Sequence, residues 1–125
     1  MTIKLNMSKA YYRVEWVYLE AVMRKMGFDE KWIRLMMTCI TTISYSILIN
    51  REPKGLITPT RGIRQGDPLS HFLFLLCNEG LNGLIVQAAI RGDIKGFALC
   101  RSGLRLTHLL FADDSLLFCR ATDQE

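Results

Sequence analysis

Two adjacent aspartates, Asp113 and Asp114, interrupt the otherwise apolar run LLFADDSLLF at residues 109–118. Carboxylates held side by side raise each other's pKa and resist ionisation. Asp and Ser are also good turn residues, so ADDS by itself fits a polar turn as well as a site. The flanks argue for a site. Leu109, Leu110, Phe111, Leu116, Leu117 and Phe118 predict a stiff, buried hairpin that fixes the two carboxylates. A divalent cation supplies the missing positive charge, and Mg²⁺ is typically held by one or two carboxylates together with substrate phosphates. A two-metal phosphoryl or nucleotidyl transfer site needs at least one further carboxylate from elsewhere in the chain.

A second stretch with chemical potential is RGIRQGDPLS, residues 61–70. Arg61, Arg64 and Gln65 stand just before Gly66 and a helix start at Pro68. Two guanidinium groups and an amide beside a helix N-terminus can meet phosphates and base or sugar edges. A helix cap surrounded by ordinary surface charge accounts for the same letters.

These motifs need elements to hold them. TIKLNM alternates and predicts a strand. Residues 14–27 predict a helix with Trp16, Leu19, Met23 and Met26 inward and Gly27 as its stop. Asp29 is placed to cap a second helix that turns Ile33, Met36, Met37 and Ile40 inward. Residues 44–50 predict a strand, followed by a turn and a strand-like GLITPTRG. Pro68 suits a helix start, and the broadly apolar segment from there to Gly92 predicts a buried helix. KGFALC, LRLTHLLFA and SLLFCRA predict strands, the last returning antiparallel after the aspartates. The order βααββαβββ predicts an α+β fold, one antiparallel sheet with helices packed on one face.

The 125 residues suffice for one domain, 1–125, and half of them are hydrophobic, which excludes a disordered chain. Sixteen basic residues against twelve acidic give a net charge of +4. That balance fits a polyanionic partner and equally an ordinary basic surface. Cys39, Cys77, Cys100 and Cys119 lack zinc-type spacing, so buried thiols in a reducing compartment are the default. The N-terminus carries no signal-type apolar segment, and the run 72–77 is too short to span a bilayer. The expected location is intracellular, nuclear or cytoplasmic, with no membrane partner and no secretion.

MSKAYYRVEW, RGIRQGDPLS and FADDSLLF, in this order and spacing, resemble the reverse transcriptase domain of non-LTR (LINE-type) retrotransposons, in particular those of plants. The resemblance covers essentially the whole chain. It implies a polymerase right hand, with this chain a palm and part of the fingers, and RNA-directed DNA polymerisation by two-metal nucleotidyl transfer. It implies Asp113 and Asp114 as catalytic ligands of Mg²⁺ or Mn²⁺, Asp113 the firmer of the two. Gln65 and Gly66 match the motif beside the incoming nucleotide and template. Tyr11 matches the aromatic that stacks under the deoxyribose and excludes a 2′-hydroxyl. Backbone amides near Lys9 and Ala10 would meet the triphosphate. Arg61 and Arg64 are nucleic-acid contact candidates. The implied partners are an RNA template, a DNA primer and a dNTP.

Four positions depart from the family pattern. Asn6 stands where the third, metal-bridging aspartate belongs, and a neutral amide cannot balance two divalent cations as a carboxylate would. Tyr12 replaces a second aspartate, whose side chain one residue along a strand would point away from Tyr11's. Arg51 follows Asn50 where Asn-Gly is usual, so a hairpin there costs about 1–2 kcal/mol of left-handed strain or takes another turn. His71 replaces a proline. The resemblance also implies fingers residues before position 1 and a palm completion and thumb after Glu125. The expectation is therefore a partial domain with its catalysis lost, exposing apolar surface and self-associating through it. The alternative is a non-catalytic nucleic-acid-binding remnant.

Overall fold

A computed structural model of the chain describes residues 1–101 and 103–120. It forms two compact units, one of Met1–Ala10 with the chain from Asn78 onward, the other Tyr11–Cys77. The strands are β1 Thr2–Asn6, β2 Tyr45–Ile49, β3 Glu52–Ile57, β4 Phe97–Ala98, β5 Arg105–Leu106, β6 His108–Phe111 and β7 Asp114–Phe118. The helices are α1 Trp16–Lys25, α2 Glu30–Thr41 and α3 Pro68–Arg91, with a 3₁₀ turn over Ala10–Arg13. The class is mixed α and antiparallel β, as expected. The single sheet is not: among the described residues there are three sheets, β1-β7-β6, β2-β3 and β4-β5.

In the unit of Tyr11–Cys77, α1 buries Leu19, Val22 and Met23, while Met26 stays exposed. Its end is a Schellman cap. Gly27 N–H bonds the carbonyl of Arg24 and Phe28 N–H that of Met23, with Gly27 at φ +83°. Asp29 caps α2 by accepting from Lys31 N–H at 2.8 Å, as its side-chain chemistry predicted. Ile33 and Ile40 are the buried face of α2. The Phe28 and Trp32 rings stack at 4.6 Å, and Trp32 meets Phe72 edge-on at 6.2 Å. β2 and β3 form a hairpin whose Ile49↔Glu52 pairing leaves Asn50 and Arg51 as a two-residue turn, at φ +53° and +65°. The turn is therefore kept with arginine under left-handed strain. The second strand begins at Glu52, earlier than the GLITPTRG reading, because this tight turn needs no further residues. Tyr11 and Tyr12 lie in the 3₁₀ turn and not in a strand, so strand alternation does not apply to them.

In the other unit, β7 is the central strand, with β1 and β6 antiparallel on either side. Lys4, Asn6, Asp114, Leu116, Leu109 and Phe111 share one face by alternation and register. Ile3, Leu5, Ser115, Leu117, His108 and Leu110 share the other. His108 Nε2 lies 2.9 Å from Asn82 Oδ1 of α3, and Ser115 is buried. The hairpin turn is Ala112–Asp113, and Ala112 adopts φ +50°.

Three expectations about burial are corrected. Phe72, Leu75, Leu84, Val86 and Ile90 of α3 are exposed, so apolar composition did not translate into a buried helix. By length and composition α3 could also cross a bilayer, which the run 72–77 did not suggest; core helices of soluble proteins pass the same test. Of the four cysteines only Cys77 is buried, and burial pushes its thiol up to about 11. Cys39 and Cys100 are exposed. Leu109 and Phe111 are also exposed, so the acidic hairpin is less buried than its flanks suggested.

Ala112 carries a Cβ in a conformation that disfavours one. Ala112→Gly should stabilise the sheet by about 0.5–1 kcal/mol, relief of strain outweighing the extra freedom of the unfolded glycine. Urea unfolding measures it, and a destabilised variant would refute the strain.

Candidate functional site

Asn6 lies directly opposite Asp114 across β1 and β7. Asn6 Nδ2 donates to Asp114 Oδ1 at 2.8 Å, and Lys4 Nζ lies 3.2 Å from Asp114 Oδ2. Lys4 is two residues before Asn6 on the same strand, so its side chain is a diagonal neighbour on the same face. Met7 N–H donates to the main-chain carbonyl of Asp113 at 3.0 Å, joining β1 to the hairpin turn. The Asp113 side chain is exposed and has no hydrogen-bond or ion-pair partner among the described residues.

The expected mutual pKa elevation of the two carboxylates is not found at Asp114. The Asn6 hydrogen bond, and after it that of Lys4, holds the Asp114 carboxyl below the usual carboxylate range. Donors aimed at the charged form outweigh the cost of its partial desolvation.

These residues do not fit a two-cation site. No group of three His, Cys, Asp or Glu side chains is placed to hold a metal among the described residues. Asn6 presents its N–H₂ to Asp114, and an ammonium stands where a cation would otherwise approach.

The other sequence-nominated residues lie mainly in the Tyr11–Cys77 unit; Lys9 and Ala10 belong with Asn6, Asp113 and Asp114. Lys9 adopts φ +57° and Ala10 is buried. Tyr11 stacks on Phe74 at 4.6 Å, and its hydroxyl lies 3.1 Å from His71 Nδ1. The 61–63 segment is laid against residues 11–16. Ile63 N–H donates to the Tyr11 carbonyl, Gly62 N–H to that of Val14, and Trp16 Nε1 to that of Gly62 at 2.7 Å. Gly62 has φ +88°, and a Cβ there would sit 2.8 Å from the Tyr12 carbonyl oxygen, so only glycine permits this approach. Gln65 and Gly66 are exposed in the turn that follows, with Gly66 at φ +89°. Asp67 caps α3 by accepting from Leu69 N–H at 2.9 Å. Arg61 is paired with Glu15 at 3.1 Å, whereas Arg64 is exposed without a partner among the described residues.

Sequence reasoning missed Lys4 and His71. Lys4 was discoverable from strand period alone, two residues from Asn6. His71 sits three residues before Phe74, on the same helical face, but nothing local in the sequence ties it to Tyr11.

A mixed α and antiparallel β chain with this acidic hairpin and glycine-bearing turn agrees with what the comparisons find. The sequence matches the family described as reverse transcriptase (RNA-dependent DNA polymerase) over residues 1–125. This chain belongs to the reverse transcriptase family, and the resemblance to the domain of non-LTR retrotransposons holds. It is 30% identical over 115 residues to the retrovirus-related Pol polyprotein of the type-1 retrotransposable element R2 of Popillia japonica, covering 92% of this chain and 18% of that one. It is 27% identical over 115 residues to the transposon TX1 uncharacterized 149 kDa protein of Xenopus laevis, covering 92% of this chain and 8% of that one. An uncharacterized mitochondrial protein of Arabidopsis thaliana is 52% identical over 68 residues, 54% of this chain and 56% of that one. The chain thus spans only part of each of these relatives.

Asp114 makes stability depend on acid pH. Its folded-state pKa is depressed, so its stabilisation is complete above the unfolded value near pH 4 and disappears as pH falls through the folded value. The stability gap between the wild type and Asp114→Asn, measured by urea unfolding, should narrow as pH drops from about 5 to about 2. A gap unchanged over that range would show that the Asn6 and Lys4 contacts do not favour the carboxylate.

Proposed function

We propose that this chain is a reverse-transcriptase-like domain of non-LTR retrotransposon origin in which nucleotidyl transfer is lost. The observation that carries this reading is the Asn6–Asp114–Lys4 arrangement. An amide and an ammonium surround the carboxylate that a catalytic cation would use. In the proposed reading the sheet β1-β7-β6 corresponds to the palm of a working relative, where a carboxylate at position 6 together with Asp113 and Asp114 would hold Mg²⁺ or Mn²⁺, which would supply charge-neutralising, Lewis-acid chemistry. Tyr11, Gln65, Gly66 and the backbone near Lys9 and Ala10 are the proposed nucleotide contacts. Arg61 and Arg64 are the proposed contacts to the RNA template and DNA primer. Work on such substrates belongs inside the cell, in the nucleus or cytoplasm.

Two features support retained binding as a second reading. The chain carries +4, and the Arg64 guanidinium is exposed without a protein partner among the described residues. An RNA–DNA duplex held by such charges would be released steeply by salt. The exposed apolar side chains of β2 and β3, Leu48 and Leu56 among them, support self-association.

The chain should show no primer extension on an RNA template with dNTPs and Mg²⁺. Placing residues 1–125 within an intact related enzyme and reverting Asn6→Asp should raise the extension rate by at least roughly 10², the scale of lost transition-state charge stabilisation. Tyr12→Asp should change it far less, since Tyr12 is exposed in the 3₁₀ turn, outside strand β1. A chimera that extends primers at the parental rate with Asn6 in place would refute the assignment of the defect.

A further inference from the structure

We infer that Lys4 and Asn6 replace the divalent cation as the charge partner of this sheet, turning Asp114 into a cross-strand latch that needs no metal. The step rests on the reading above only for the identity of the position where a cation is expected. Three observations carry it. First, both Asp114 oxygens have a donor, Oδ1 the Asn6 amide at 2.8 Å and Oδ2 the Lys4 ammonium at 3.2 Å. Second, Asn6 and Asp114 are a directly opposed pair in the β1–β7 ladder, so the contact needs no shift of register or backbone. Third, the Asp114 side chain is about one-third exposed, at 35%, and Lys4 60%, so the contact is held by geometry on an open face rather than by enclosure.

An aspartate at position 6 would reverse the local balance. Two carboxylates would then face each other across the ladder, with Asp113 one residue further on and a single lysine nearby. Like charges directly opposite on paired strands are destabilising. A bound cation would relieve them. With Asn6 the repulsion is absent, and the cation's approach is opposed by an ammonium already in contact with the carboxylate. The asparagine thus exchanges a metal-dependent junction for a self-satisfied one, and Lys4 supplies the charge that the amide lacks.

The test is thermal unfolding of the full chain in EDTA and in ~10 mM MgCl₂, at matched ionic strength, for the wild type, Asn6→Asp and Lys4→Gln. The wild-type Tm should be the same in both within about 1 °C. N6D should melt lower in EDTA and rise by at least about 4 °C with Mg²⁺, the shift given by a ligand some tenfold above its Kd. If N6D does not fold in EDTA, cooperative unfolding regained with Mg²⁺ gives the same answer, and its failure to return counts against the proposal. K4Q, which leaves the Asn6–Asp114 hydrogen bond intact, should lose Tm in EDTA and recover part of it with Mg²⁺. Equal Mg²⁺ shifts in all three proteins, or none in any, would overturn the proposal. Primer and template are absent from these measurements. Failure of the lost-polymerase reading would appear instead as primer extension by the unaltered chain.

Discussion

The hydrogen bond from Asn6 to Asp114 joins residues 108 apart in sequence. On its own such a contact contributes little, about 0.5–1.5 kcal/mol before the charge on its acceptor is counted. Its weight comes from where it sits. It is the last pair of the β1–β7 ladder, beside the Met7–Asp113 main-chain bond and next to the turn that Ala112 strains. At the other end of the ladder the Met1 ammonium donates to the Cys119 carbonyl at 2.8 Å. β1 is held to the rest of its unit between these two points. Its apolar residues add little, since Ile3 and Leu5 are both exposed. A strand with so little burial depends on hydrogen bonds for its register, and the residue at its end sets that register.

A close main-chain approach does the corresponding work in the Tyr11–Cys77 unit. The 61–63 segment adds three hydrogen bonds to residues 11–16, and Gly62 makes them geometrically possible. Tyr11 is then fixed from two sides, its carbonyl by Ile63 and its ring by Phe74 and His71. Two motifs that read as separate in sequence, AYYRVEW and RGIRQGDP, are one packed object here. The arginines divide accordingly. Arg61 is occupied by Glu15, which arrives with the first motif, while Arg64 stays exposed beyond the docked segment.

The signals legible in the sequence were those set by local chemistry. The Asp29 cap, the Pro68 start, the Gly27 stop and the helix faces around Leu19 and Ile33 follow from propensity and period. The convergence of Asn6 with the 113–114 turn came from motif resemblance and not from any local pattern. Burial is not legible where it depends on tertiary coverage. α3 is apolar on all sides, so its composition contains no information about which side chains find a partner, and Leu84 and Ile90 find none that cover them. The splitting of LRLTHLLFA into β5 and β6 was equally hidden, because a short break in pairing at Thr107 leaves the residue types unchanged. The pKa of Asp114 is not legible from its neighbour in sequence, because its partners across the ladder, Asn6 and Lys4, decide it.

In the proposed reading, the four departures from the family pattern let a fold outlast the chemistry it held. Asn6 and His71 each gain a hydrogen bond, to Asp114 and to Tyr11. Tyr12 and Arg51 are exposed, and Arg51 accepts a left-handed backbone at about 1–2 kcal/mol. None of the four leaves a buried polar group without a partner, which is the error that costs most in a folded chain. Stability asks only that polar groups be paired and apolar ones covered, and at position 6 an amide meets that demand better than a carboxylate facing another carboxylate. Nucleotidyl transfer asks for net negative charge at the same place, to hold cations against a triphosphate. The two requirements oppose each other at residue 6, so a substitution that removes the charge eases folding at the point where, in the proposed reading, it ends catalysis.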